Sequence, residues 1–147
     1  MALLMCGGAA AAQPRSASAP QLLLTTPTGL MAPVWSPDGS KIAVTGDNYT
    51  GIMVANADGT GLRSLGLGSN PSWLPDNESI VYTVVKDNGQ VYTSSTMLAM
   101  NVVSGESVTL TSRTDMIPLT PAVSPDGTKV AFQNAADQSI YVVTLKY

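Results

Sequence analysis

Side chains able to act as nucleophile, general base or metal ligand are scarce in this 147-residue sequence. Histidine is absent, which excludes any Ser-His-Asp or Cys-His arrangement and any His-ligated metal. Cys6 is the single cysteine, so neither an intramolecular disulfide nor a cysteine cluster can form. Ten carboxylates remain: Asp38, Asp47, Asp58, Asp76, Glu78, Asp87, Glu106, Asp115, Asp126 and Asp137. Nearly all are expected in turns, where an Asp side chain bonds nearby backbone amides. Nothing in their spacing forces two of them to converge in a cleft, as a glycosidase requires. The patterns Ser-x-x-Lys, Gly-x-Ser-x-Gly and Gly-x-x-x-x-Gly-Lys do not occur. The glycines from Gly59 to Gly68 miss the dinucleotide spacing and precede no helical pattern, which assigns them to a hairpin turn and an outer strand. Asp87-Asn88-Gly89 is expected to be a turn, since calcium needs six or more oxygens. The expectation is no catalytic residue, no bound metal and no cofactor.

The elements are set by an internal repeat. Three segments align without gaps: PVWSPDGSKIAV (33–44), PSWLPDNESIVY (71–82) and PAVSPDGTKVAF (121–132). In Ser36-Pro37-Asp38-Gly39 the proline presets φ at the second turn position, and the glycine permits positive φ at the fourth. Asn77 replaces that glycine in the second copy and is the next most tolerant residue there. Each turn leads into a run of β-formers: Lys41–Thr45, Ser79–Lys86 and Thr128–Gln133. A third strand follows in each unit, at Ile52–Asn56, Met97–Val102 and Ile140–Leu145. Hairpin signals and a fourth strand come next, at Leu62–Leu67 and Ser107–Thr111. Trp35 and Trp73 share one repeat position and are expected to pack between units. The unit is a four-stranded antiparallel meander, the blade of a β-propeller. The fold class is therefore all-β: three such meanders in a partial or half propeller, the third stopping after its third strand.

The first copy's Pro-x-Trp-Ser-Pro-Asp-Gly-x-Lys-Ile-Ala-Val, the apolar third strand and Ala57-Asp58-Gly59-Thr60-Gly61 carry a family likeness. On them, residues 21–147 resemble the TolB-like propeller repeat, a Pro-Asp relative of the WD repeat. That family includes periplasmic TolB and the non-catalytic propeller domains of serine oligopeptidases. The resemblance implies a protein-binding or gating propeller. The sequence departs from the family in having three repeats where full members have six or more blades, and in placing Val123 where the repeat has Trp.

Composition narrows the partners. Seven basic against ten acidic residues give a net charge of −3, which argues against nucleic acid as the main partner. Residues 1–12, MALLMCGGAAAA, read as a signal-peptide-like leader with small residues before Gln13. They are too short to span a membrane. A disordered apolar tail is the competing interpretation, and Cys6 loosely resembles a lipidation site. Residues 13–20 read as a Ser/Ala/Pro linker. Export to the periplasm or medium of a bacterium is the expectation.

In a meander blade the connections after strands one and three share one end. The other end carries longer, mutually dissimilar connections: 26–31, 46–51, 87–95, 112–119 and 134–138. Variable loops are where such scaffolds place function. Tyr49, Tyr92, Arg113, Asp115 and Met116 are the candidate partner-binding residues there, because interfaces favour Tyr, Arg and Met, and Asp115 can pair with a partner's cation. The expected function is a non-catalytic, exported protein-interaction module. The alternatives are a substrate-gating propeller piece of a serine oligopeptidase-type hydrolase, and a truncated propeller without a function of its own. Gln21–Thr25 reads as a surplus outer strand, which is expected to complete the third blade of its own chain or of a partner. The corresponding assembly is a homodimer that closes a six-blade ring.

Overall fold

The computed structural model describes residues 12–47, 50–111 and 113–147. Among them the chain forms eleven strands and no helix. Blade 1 is β1 (Leu30–Trp35), β2 (Lys41–Gly46), β3 (Gly51–Asn56) and β4 (Arg63–Gly66). Blade 2 is β5 (Ser69–Trp73), β6 (Ser79–Asp87), β7 (Tyr92–Asn101) and β8 (Ser107–Thr109). Blade 3 is β9 (Pro118–Val123), β10 (Lys129–Asn134) and β11 (Ser139–Thr144). Each sheet is an antiparallel meander in chain order, and the third has three strands where the first two have four.

The repeat turns form as their chemistry requires. Gly39 and Gly127 both hold φ at +72°, and Asn77 holds +60°. Asp38 Oδ1 accepts the Ser40 amide at 2.9 Å, the Ser36 hydroxyl at 2.7 Å and the Ser40 hydroxyl at 2.8 Å. Asp126 repeats this with Ser124 and Thr128. In blade 2, Leu74 replaces the serine and turns inward to the core, while Asp76 accepts the amides of Glu78 and Ser79.

A feature absent from the turn pattern lies one step earlier. Ala32, Asn70 and Thr120 each directly precede the repeat proline, and each has positive φ, at 50°, 53° and 47°. Their strands shift register there, between Met31 and Val34 and between Ser69 and Ser72; in blade 3 the shift is seen opposite, between Ala131 and Gln133 of β10. Proline has no amide to donate, so within sheets it is confined to edges and bulges. β1, β5 and β9 are edge strands, and each accommodates its proline with a bulge.

Alternation along the strands divides each blade into two faces. Blades 1 and 2 meet over Ala43, Ile52 and Val54 from one side and Trp73, Ile80, Tyr82 and Val102 from the other. Trp73 Nε1 donates to the Val34 carbonyl at 3.1 Å, and the Arg63 guanidinium donates to the Val102 carbonyl. Blades 2 and 3 meet over Leu74, Val81, Met97, Val130 and Phe132. Trp73 is 7% exposed, as an inter-blade tryptophan should be, whereas Trp35 is 54% exposed. Trp35 pairs with Ile42 in register, on the face of blade 1 turned away from blade 2. Its neighbourhood, not its type, decides its exposure.

Two further expectations are corrected. Residues 21–25 form no strand and do not join blade 3 of their own chain. Leu24 instead packs on Ile42, Val44 and Ala55, and the Leu23 carbonyl runs against the turn at Gly59. The segment thus covers part of the outward face of blade 1, where Leu24 finds apolar surface that a lone edge strand lacks. The connections after the second strands, expected to be the longer ones, are also short: 47–50, 88–91 and 135–138 have four residues each, against five or six in the turns at the other end. β6 and β7 stay paired out to Asp87 and Tyr92, with a register shift at the last pair, because Tyr92, Thr93 and Thr96 favour extended chain and Asn88-Gly89 suffices for the turn.

Candidate functional site

The connections after the second and fourth strands, together with the segments leading into β1 and β9, gather at one end of the blades. A cavity of about 520 Å³ opens among them, between blades 1 and 2. β1 contributes Met31, the end of β2 contributes Thr45 and Gly46, and the connection after it contributes Asp47. The crossing from blade 1 to blade 2 contributes Leu67, Gly68, Ser69 and Asn70, and the long β6–β7 hairpin contributes Val84, Val85, Asp87 and Tyr92. The walls are therefore mixed, with an aromatic ring, aliphatic side chains and two carboxylates.

Local chemistry builds each wall. At Gly68 a Cβ would lie 2.6 Å from the Tyr82 ring, so only glycine lets the chain cross so closely into blade 2. Asn70, at its bulge, donates its amide to Thr45 Oγ1 at 3.0 Å and ties the two blades at the cavity floor. Asp87 accepts the Gly89 amide at 2.8 Å, and Asn88 accepts those of Gln90 and Val91, so this hairpin is a closed Asx turn as expected. The hairpin also outlines a second hollow of about 330 Å³ over residues 87 and 89–92.

The sequence-derived candidates divide. Tyr92 stands at the cavity, half-exposed, on the first residue of β7 rather than in a loop. Tyr49 lies outside the described residues. Arg113, Asp115 and Met116 lie in the β8–β9 connection and line no part of the cavity. Arg113 Nε donates to Asp115 Oδ1 at 2.9 Å and its Nη2 to Oδ2 at 2.6 Å, a two-pronged exposed pair. Those hydrogen bonds hold the Asp115 carboxyl below its ordinary range and raise Arg113. Asp115 is therefore already matched with a cation of its own chain. Met116 leans into the apolar contact between blades 2 and 3. Close by, the Tyr141 hydroxyl donates to Asp137 at 2.5 Å, and that bond lowers Asp137 and raises Tyr141.

Met31, Leu67, Asn70, Asp47 and Asp87 were not among the sequence candidates. Met31, Asp47 and Asp87 fall in 26–31, 46–51 and 87–95, connections singled out by length, which was the available signal. Leu67 and Asn70 come from the crossing between blades 1 and 2, which only the blade packing brings to the cavity. Among the described residues no cluster of three or more Cys, Asp or Glu is placed to hold a metal, and no helix is long and apolar enough to cross a membrane.

No family model matches the sequence, and no curated protein matches it. Solved structures do match. A putative TolB from Agrobacterium tumefaciens superposes with a TM-score of 0.59 at 23% identity, over 74% of this chain and 39% of that one. The fold is that of a TolB-like β-propeller. TolB from Acinetobacter baumannii gives 0.51 at 14% identity, over 83% and 45% of the two chains. An oligogalacturonate lyase in complex with manganese gives 0.61 at 19% identity, over 79% of this chain and 34% of the lyase. The chain therefore spans less than half the length of each of these structures.

Proposed function

We infer that this chain is a non-catalytic protein-binding propeller module that takes its partner at the end carrying the cavity. The observation that supports this is the cavity itself. It lies among the connections after the second and fourth strands, and its walls combine an accessible tyrosine, exposed Met31 and Leu67, and two carboxylates. Interfaces favour Tyr and Met as anchors with polar groups around them. Arg113 and Asp115 stand on the same end as a charged rim. The leader-like residues 1–12 support export, with the periplasm or medium of a bacterium as the place of action. A gating role beside a hydrolase is the second reading. It is favoured by the match to the propeller domain of the Trilobed protease from Pyrococcus furiosus, at a TM-score of 0.52 and 12% identity.

The test is capture of a partner on the immobilised chain from a periplasmic extract, followed by binding measurements on Tyr92→Ala. Binding should weaken at least tenfold with the melting temperature unchanged. Equal binding by Tyr92→Ala and by a second cavity variant, Leu67→Ala, would remove the cavity from the function. Peptide hydrolysis that depends on the added chain would favour the gating role.

A further inference from the structure

The contact between consecutive blades repeats, and neither the receiving half on blade 3 nor the leading half on blade 1 is met by another blade; the leading half is covered in part by Leu24 instead. The leading half is the series Trp35, Trp73 and Val123 with Ile42, Ile80 and Val130. The receiving half is the series Val34, Ser72 and Ala122 with Ala43, Val81 and Ala131 on the second strand of each blade. Pairing in register adds Ile52, Met97 and Ile140, and Val54, Ala99 and Val142, to the receiving half. In blades 1 and 2 the next blade covers it, and Ile52 and Met97 are 1% and 0% exposed. In blade 3 the same positions are bare: Ile140 is 70% exposed and Val142 59%. Glycine marks the same vacancy on the leading half. A Cβ at Gly127 would press on Pro75 of the preceding blade at 2.8 Å, whereas one at Gly39 would meet nothing within 4 Å.

We propose that the outward face of blade 3 is covered by blade 1 of a second copy, through the contact that already joins blades 1 and 2, and that residues 20–26 must leave blade 1 for this to happen. The occupant follows from complementarity within the chain. Ala122 stands where Val34 offers its carbonyl to Trp73 Nε1, and Trp35 stands where Trp73 does. Gly39 would lie against Pro125 as Gly127 lies against Pro75. The two faces differ, so the contact is heterologous and each copy can use both. Leu24 now sits on Ile42, Val44 and Ala55, the surface that the second copy needs.

Sedimentation of the full chain over a concentration series tests this, with tryptophan emission as a second readout. The expected mass exceeds one chain at high concentration, with a blue shift as Trp35 leaves water. Leu24→Asp, which expels the segment, should lower the assembly midpoint at least tenfold. Val142→Lys changes an exposed side chain and should hold the protein monomeric with unchanged circular dichroism. Val103→Lys, in the β7–β8 turn, should assemble like the unmodified chain. Assembly indifferent to Val142→Lys, equal midpoints for Leu24→Asp and the unmodified chain, or a monomer throughout would each overturn the proposal. If Leu24→Asp fails to fold, the comparison of Val142→Lys with Val103→Lys still decides whether this face is used.

Discussion

Gly39 and Gly127 have the same φ and different surroundings, so one substitution should have two sizes. Valine at either must hold a left-handed backbone, which costs about 1–3 kcal/mol. At Gly127 the new side chain also drives into Pro75, and overpacking adds about 1–3 kcal/mol. Urea melts should therefore rank Gly127→Val below Gly39→Val, with Gly39→Asn near the unmodified protein because Asn77 already holds that conformation. Ser40 is not a silent control for such a series, since its hydroxyl donates to Asp38. The aspartates of these turns add a pH dependence. The Ser40 amide, with the Ser36 and Ser40 hydroxyls, holds Asp38 at about 2; the Ser124 hydroxyl, with the Thr128 amide and hydroxyl, holds Asp126 at about 2. Both are depressed from 3.8, so their stabilisation is present above about pH 4 and is lost as pH falls toward 2. The denaturation midpoint should drop over that window, and the drop should shrink in Asp38→Asn combined with Asp126→Asn. An unchanged drop would mean that other carboxylates carry it.

Strands and the faces they present decide the fate of the two tryptophans. Trp73 is enclosed between blades and hydrogen-bonded, so Trp73→Ala should cost about 3–5 kcal/mol, the usual range for a buried aromatic. Trp35, at the same repeat position, is half in water, and Trp35→Ala should cost about 1 kcal/mol or less. Chemical denaturation of both variants checks the pair, and equal losses would contradict the packing. Much at this level was legible beforehand. The Pro-Asp-Gly turns, the runs of β-formers and the order of strands all follow from local chemistry, and their limits match to within a residue or two in most cases. The bulges at Ala32, Asn70 and Thr120 were not legible. A residue before proline is expected to be extended, and only pairing with the neighbouring strand forces these three into positive φ.

For the molecule as a whole, the proposed binding uses one end of the blades and the proposed assembly their sides. These can be separated by mutation. Arg113→Ala breaks an exposed pair and should leave the melting temperature nearly unchanged while weakening a partner that uses the rim. Loss of folding would instead mean that the β8–β9 connection is held by that pair. Met116→Ala should behave differently, since its side chain enters the contact between blades 2 and 3 and its loss should lower stability. Of the four sequence candidates among the described residues, then, Tyr92 is the one the structure puts at the cavity, and Met116 is mainly a packing residue.

The sequence by itself determined the repeat, the turn conformations and the all-β class. Each of these depends on residues close together in the chain: a proline, an aspartate and a glycine or asparagine make the turn wherever they occur. Tertiary structure alone decided which copy of a repeated position is buried. Trp35 and Trp73, Ile52 and Ile140, Gly39 and Gly127 are equivalent in sequence and opposite in environment. It also decided that Gln21–Thr25 lies on blade 1 rather than beside β11, and that Met31, Asn70 and Tyr92 share one cavity. Burial is a property of what lies across a gap, and within one repeat nothing local records whether a neighbour is there.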